Sequence, residues 1–432
     1  MSLTSLPPRG GDLKVRARPF VSAAVLYAAG YGAYMIAVQL VAMGLANRRF
    51  PKDEFGGFAV LYSFTMFFAA IASRWLQHLV IRSHPGGHDP GASYWHWFKW
   101  TWLKGGAGIA LAGALAVWAL AKAVGIAEAM PPTVAAVTSF ALCFGHVLFE
   151  GLVGTAARIR RRFAGLAVAF FLYAMFAAGL AWVARTAVGF MAAFVVAASV
   201  STLLYVAYDA RGWRRPTEPA GTDSSAGWIA SAGGLQVAVF AAMSLAVRYL
   251  DRPLVGHFAG AAVAGEFFAL NAGVMATLLP VGMLGPILHG WIAQWRDLPR
   301  RGMQGTGWLW MWVVVPIAVL AVSPVARLTI TLVYPSVDLP ALGISWYVFC
   351  LGRVLLVSRD LSEPFVSRFG SLRALPVMDA SLLLALAGGM ALTRTHLSLD
   401  LVNLLSGTSL AAAGVAGLGA LMATVWSRRA TT

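Results

Sequence analysis

Residues 45–82 read LANRRFPKDEFGGFAVLYSFTMFFAAIASRWLQHLVIR, two long apolar runs joined by a short charged turn, Asn47 to Glu54. Roughly 20 apolar residues cross the hydrocarbon core of a bilayer, so this stretch reads as a membrane hairpin with a polar tip. The same alternation fills the chain. Apolar runs fall at 19–45, 55–79, 100–122, 132–156, 164–185, 188–208, 226–250, 264–290, 305–326, 340–358, 374–393 and 400–425. In lipid every backbone polar group needs an internal partner, which leaves helices or closed barrels. The runs are continuously apolar rather than alternating with period two, so they are helices. The predicted fold class is an all-α polytopic membrane protein of about 12 transmembrane helices.

The charge of the chain is read from its placement. Lys and Arg number 33 against 17 Asp and Glu, a net charge of +16. The basic residues cluster before the first span, around 82–104, and at 158–162, 211–215, 296–301, 359–373 and 428–429, which are alternate ends of successive spans. Basic loops stay in the cytoplasm, so both termini are expected there. A basic rim facing anionic lipid accounts for the charge, and no nucleic-acid partner is expected. The first span is too long for a signal-peptide core and is read as retained. Cys143 and Cys350 both sit in apolar runs, which argues against a disulfide framework. The longest polar interruption is rich in Pro, Gly, Ser and Thr and falls at the middle of the chain, as linkers between lobes do. The expected organisation is a cytoplasmic basic segment 1–18, an N-lobe 19–209, a cytoplasmic linker 210–225, a C-lobe 226–425 and a cytoplasmic end 426–432.

The halves resemble each other. Cys143-Phe-Gly145-His146-Val-Leu148 is matched by Cys350-Leu-Gly352-Arg353-Val-Leu355 at an offset of 207. Arg162-Phe163 and Leu166 are matched by Arg368-Phe369 and Leu372 at 206, and Phe55-Gly56 has an echo in Ala264-Gly265 at 209. Six spans restore the direction of the chain, so the two copies run parallel, as six-helix lobes related by a pseudo-twofold axis along the membrane normal.

These residues also carry a family resemblance. An apolar helix, an arginine-containing turn (Arg48, Arg49), the pair Phe55-Gly56 and a second helix closing on Arg82 resemble the opening of the polysaccharide and lipid-linked oligosaccharide flippases. These belong to the multidrug/oligosaccharidyl-lipid/polysaccharide exporter superfamily. Asp251-Arg252-Pro-Leu-Val-Gly256 and Val263-Ala-Gly265 resemble the second-lobe counterpart, with Phe267 or Phe268 where that family favours Tyr. The resemblance implies a bacterial inner-membrane flippase working by alternating access. It would carry a polyprenyl-diphosphate-linked glycan outward for O-antigen, capsule or exopolysaccharide assembly. It also implies membrane lipids, a polysaccharide polymerase and glycosyltransferases as partners, and no cofactor.

Polar residues inside apolar spans are the site candidates, because charge in lipid is costly. Arg353 is flanked by apolar residues on both sides and lies about 20 Å along its helix from Pro340. Its planar fork suits a diphosphate, and the repeat places His146 at the same depth. Two structural readings compete: a pair with Glu150, or reach to the inner interface near Arg359. Arg74 is the rival cation, either in the cavity or snorkelling to head groups. His146 and Glu150, one helical turn apart, either pair with each other or titrate. Gln39, Gln236 and Asn271 either line a cavity or bond between helices. Arg48, Arg49, Asp251 and Arg252 are placed at the outer rim, as coupling or gating candidates. Pro280 and Pro286 predict a kink in the eighth span, a candidate hinge.

Other chemistry finds little footing. There is no His-Glu-x-x-His, no Gly-x-Ser-x-Gly and no phosphate loop, and no metal site is expected. A membrane-embedded glycosyltransferase is one alternative, with Asp53 and Glu54 as nominal outer-loop acids, and a multidrug antiporter of the same superfamily is another. Reporter fusions test the topology. Positions Arg160 and Trp213 should report cytoplasm and Lys52 the outside; a cytoplasmic Lys52 would overturn the helix count.

Overall fold

The computed structural model describes residues 25–83, 103–123, 130–154, 157, 163–208, 232–285, 288, 306–339 and 343–427. The expected linker 210–225, both terminal segments and Pro286 lie outside the described residues. Every described element is helical, and twelve rods follow in chain order.

In the first six, α1 is Val25–Arg49, α2 Lys52–Ser83 and α3 Leu103–Ala123. Then come α4, Pro132–His146 with a π-helical continuation Val147–Gly154, α5, Phe163–Val183, and α6, Ala187–Tyr208. In the second six, α7 is Ala232–Tyr249 and continues as Asp251–Ala259 after a 47° bend at Leu250. It is followed by α8 Ala261–Gly282, α9 Thr306–Val333, α10 Ile344–Phe369, α11 Ala374–Leu392 and α12 Leu399–Ser427. Ten helices are long and apolar enough to cross a membrane, and the bent α7 pair is a further candidate. α10 is 26 residues long but carries Arg353, Arg359, Asp360, Glu363 and Arg368. The even number of rods puts Val25 and Ser427 at one face, here the terminal face.

Local chemistry sets the boundaries. Phe50 is extended, as a residue before proline tends to be, and ends α1. Asp53 and Glu54 then sit in the first turn of α2, where carboxylates complement the helix dipole. The charged turn expected over Asn47–Glu54 therefore shrinks to Phe50-Pro51. Gly260 alone joins α7 to α8, at a φ of 92° that favours glycine. The expected outer loop around Asp251 and Arg252 is thus helical. The tenth span runs well beyond 358, because the charges that end its apolar run belong to the polar face of one amphipathic helix.

Helices α1–α6 pack as one bundle and α7–α12 as another, with α2 and α8 forming the main seam between them. At the face opposite the termini, Gly56 and Gly265 meet. A Cβ on Gly265 would lie 3.0 Å from the Gly56 Cα. Residues related by a twofold axis touch only where the axis passes, so these repeat-related glycines mark it. Phe55 packs on Phe268 and on Tyr334 around them. Lys52 pairs across the seam with Glu266 at 3.2 Å and with Asp338 at 3.1 Å. Gly56→Val leaves no room for this approach. The disulfide yield of a Lys52→Cys, Glu266→Cys pair should drop several-fold in that background, with the protein still inserted; an unchanged yield would refute the contact.

Candidate functional site

A cavity of about 170 Å³ lies between the bundles. α1 contributes Tyr31, Tyr34 and Gln39, α2 Tyr62, Ser63 and Arg74, and α4 His146 and Glu150. From the second bundle come Arg248, Tyr249 and Arg252 on α7, Asn271 on α8, and Arg353 and Asp360 on α10. One side is therefore mainly aromatic, and the other carries three arginines. The cavity is closed at the opposite face by the Gly56–Gly265 contact. Towards the terminal face the bundles are joined by Arg74 and Glu363 at 3.5 Å.

The arginine wall is built from two antiparallel helices. Ser244, Arg248 and Asp251 recur on α7 at helical spacing, facing Glu363, Asp360 and Arg353 on α10. Arg353 Nη2 donates to Asp251 Oδ2 at 2.6 Å. Arg248 is ion-paired with Asp360, and the Ser244 hydroxyl donates to Glu363. The Ser406 hydroxyl of α12 reaches the same Asp251 oxygen at 3.3 Å. That approach depends on glycines: a Cβ on Gly407 would lie 2.6 Å from the Val348 carbonyl oxygen, so α10 and α12 touch through their backbones. Farther along α10, Arg359 holds Asp379 of α11 through two nitrogens, both at 2.6 Å.

Several expectations are corrected. Asp251 and Arg252 do not stand at a solvated rim; they are 0% and 8% exposed. The partner of Arg353 is Asp251, not Glu150. Arg359 is a buried, paired residue rather than an inner-interface one. His146 Nε2 lies 2.9 Å from the Tyr173 hydroxyl. Arg74 reaches the cavity and Glu363, not head groups. Arg48 and Arg49 donate to the last carbonyls of other helices, Arg48 to Leu332 and Arg49 to Ala181, Trp182 and Ala184. Cations at helix C-termini satisfy orphan carbonyls and the helix dipole, so these two pin α1 in place. Gln236 is not in the cavity wall, whereas Gln39 and Asn271 are. The Gln39 carbonyl, in a π-helical stretch Ile36–Ala42, accepts from Tyr334 of the second bundle. Pro280 falls near the end of α8, between the wall residues Leu279 and Gly282.

Sequence reasoning missed Arg248, Asp360, Glu363 and Asp379. Arg353, Leu356, Val357 and Asp360 follow an i, i+3, i+4, i+7 pattern, and all four line the cavity. That periodicity was the available signal that α10 continues.

After this pairing, one cavity cation lacks a carboxylate. Arg252 Nη1 reaches only the Ser63 hydroxyl, at 3.4 Å, and its Nε is buried without a partner. The rings of Tyr249 and Phe268 lie 5.6 and 5.5 Å from its Cζ.

No protein-family model matches the sequence, and no curated protein does. Solved structures do. An outward-facing multidrug resistance MATE family transporter of the MOP superfamily aligns over 96% of both chains, with a TM-score of 0.59 and 12% identity. The fold is that of the MATE transporters. MATE in a bent conformation aligns with a TM-score of 0.60 at 14% identity, over 95% of this chain and 96% of the other. A MOP superfamily transporter from Pyrococcus furiosus gives 0.58 at 13% identity, over 94% and 95%. These neighbours are transporters, not enzymes, and two of them are described as members of the MOP superfamily.

The Arg359–Asp379 pair supplies a stability test. Removing one partner of a buried pair costs about 3–5 kcal/mol, because the other charge is left uncompensated. Asp379→Asn and Arg359→Ala should each sharply lower the unfolding temperature in detergent. Arg359→Met with Asp379→Leu should recover most of it; equal loss in the double variant would show that the pair itself is needed.

Proposed function

We propose that this multi-pass membrane protein is an alternating-access transporter whose central cavity takes an amphiphile with an anionic head group. The observation that carries the reading is Arg252, a buried guanidinium in the cavity wall with a hydroxyl and two rings but no carboxylate against it. An isolated guanidinium in a membrane interior is unfavourable by roughly 3 kcal/mol or more on insertion scales, and an anion or water relieves it. Arginine's planar fork matches phosphate oxygens two at a time. With the terminal face assigned to the cytoplasm by the basic clusters, the substrate enters there and leaves past the Gly56–Gly265 contact. The sequence resemblance makes that amphiphile a polyprenyl-diphosphate-linked oligosaccharide, moved across a bacterial inner membrane. Glycosyltransferases and a polymerase of surface polysaccharide assembly would be its partners.

A second reading, multidrug antiport, is favoured by the MATE neighbours, one of which is described as a multidrug resistance transporter. Glu150 in the aromatic side of the cavity supplies an acid for it. The Pyrococcus furiosus neighbour is described as having a binding pocket of reversed polarity that suggests a different function. Pocket charge is therefore the discriminating property within this fold.

Arg252→Ala and Arg252→Lys separate the readings. Under the anion reading, glycan export falls at least tenfold in the alanine variant and is partly kept in the lysine variant, at normal protein abundance. Under the drug reading, export of cationic dyes is unchanged or rises in Arg252→Ala and is lost in Glu150→Gln.

A further inference from the structure

Arg353 and Arg359 lie six residues apart on α10 and are held in opposite ways. Arg359 commits both terminal nitrogens to Asp379 and takes no part in the cavity wall. Arg353 commits one nitrogen, Nη2, to Asp251; its Nε, like that of Arg359, is buried with no hydrogen-bond partner. Its guanidinium belongs to the cavity wall, as does that of Arg252, whose Nε is likewise unpartnered. The two cations lie over successive rings of α8. Arg353 Cζ is 5.7 Å from the Phe267 ring, and Arg252 Cζ is 5.5 Å from the Phe268 ring. Two buried guanidiniums with unused donors therefore share one wall, and the one carboxylate beside them, Asp251, pairs with Arg353 alone.

We propose that Asp251 is an internal occupant of the anion site. The substrate's oxyanion displaces it from Arg353, and its release lets α7 change its bend at Leu250. This rests on the anion-transport reading above and adds how that anion is sensed. Three observations support it. A buried guanidinium needs an anion beside it, and the exchange leaves Arg353 with one at both stages. A phosphate engages a guanidinium by two parallel bonds, which the one-point contact with Asp251 does not. The released carboxylate keeps a partner of its own, because its other oxygen, Oδ1, accepts from the Arg252 backbone N–H at 2.9 Å, while the Ser406 hydroxyl at 3.3 Å holds Oδ2, the oxygen that Arg353 takes. Asp251 is the first residue of the helix beyond the bend. Its side chain ties that segment to α10, so loss of the tie frees the bend.

The test uses the full-length protein in detergent with inorganic pyrophosphate as probe, read by calorimetric titration. Asp251→Asn removes the competitor and should tighten binding about tenfold or more. Ser406→Ala loosens the carboxylate without changing any charge and should tighten binding about two- to threefold. In the wild type, pyrophosphate should also change the Lys52→Cys, Glu266→Cys cross-linking yield; in an Asp251→Asn background the yield should no longer respond. Binding to wild type that neither substitution tightens overturns the inference and leaves the anion site standing. Should Asp251→Asn fail to accumulate, Ser406→Ala decides alone: equal affinity overturns the proposal and tighter binding supports it. Absence of pyrophosphate binding from every form overturns the anion reading together with this inference.

Discussion

Charge in a membrane interior must be neutralised where it stands, and among the described residues most of the buried charge lies on two neighbouring helices. α7 and α10 exchange Ser244–Glu363, Arg248–Asp360 and Asp251–Arg353 contacts along their shared length. Arg359–Asp379 ties in α11, and Ser406 ties in α12. The second bundle is thus held by polar contacts as well as packing. The first relies on aromatic packing, with Tyr34, Phe149, Phe170 and Tyr173 in mutual contact. Two bundles with one helical plan therefore present walls of opposite character to a common cavity.

On the anion reading, that contrast is what would give the cavity its selectivity. Arg248 and Arg353 already have carboxylates and add little net charge. Arg252 lacks one, and so one residue decides the sign of the wall. Local pairing can thus change the charge of the wall without any change in how the helices cross.

The helices were legible because lipid leaves the backbone few options, and twelve apolar runs map onto twelve rods. The repeat was legible as well: Gly56 and Gly265, matched only by an offset, prove to be in contact. The limits of reading appear where charge interrupts hydropathy. The tenth span looked finished at Ser358 because Arg359, Asp360 and Glu363 follow, yet these continue the same helix. Asp251 and Arg252 looked like loop residues for the same reason, since a charged pair at the end of an apolar run resembles a membrane boundary. Hydropathy cannot tell a charge that faces water from one that faces an opposite charge, and pairing across helices is a tertiary property. Hence Arg353 was found and its partner was misjudged, while Arg252 was named with the wrong surroundings.

The one-residue joint at Gly260 has a mechanical consequence. The segment Asp251–Ala259 is nine residues long, about 13 Å at 1.5 Å per residue, and Gly260 couples its tip directly to the start of α8. It acts as a lever with its fulcrum at Leu250. A rotation of 10° there carries the tip by about 2 Å, more than the Gly56–Gly265 contact can absorb, since even a Cβ added to Gly265 would already lie 3.0 Å from the Gly56 Cα. A small angular change beside the arginine wall is thereby geared up into a displacement at the far seal, with no slack loop to absorb it.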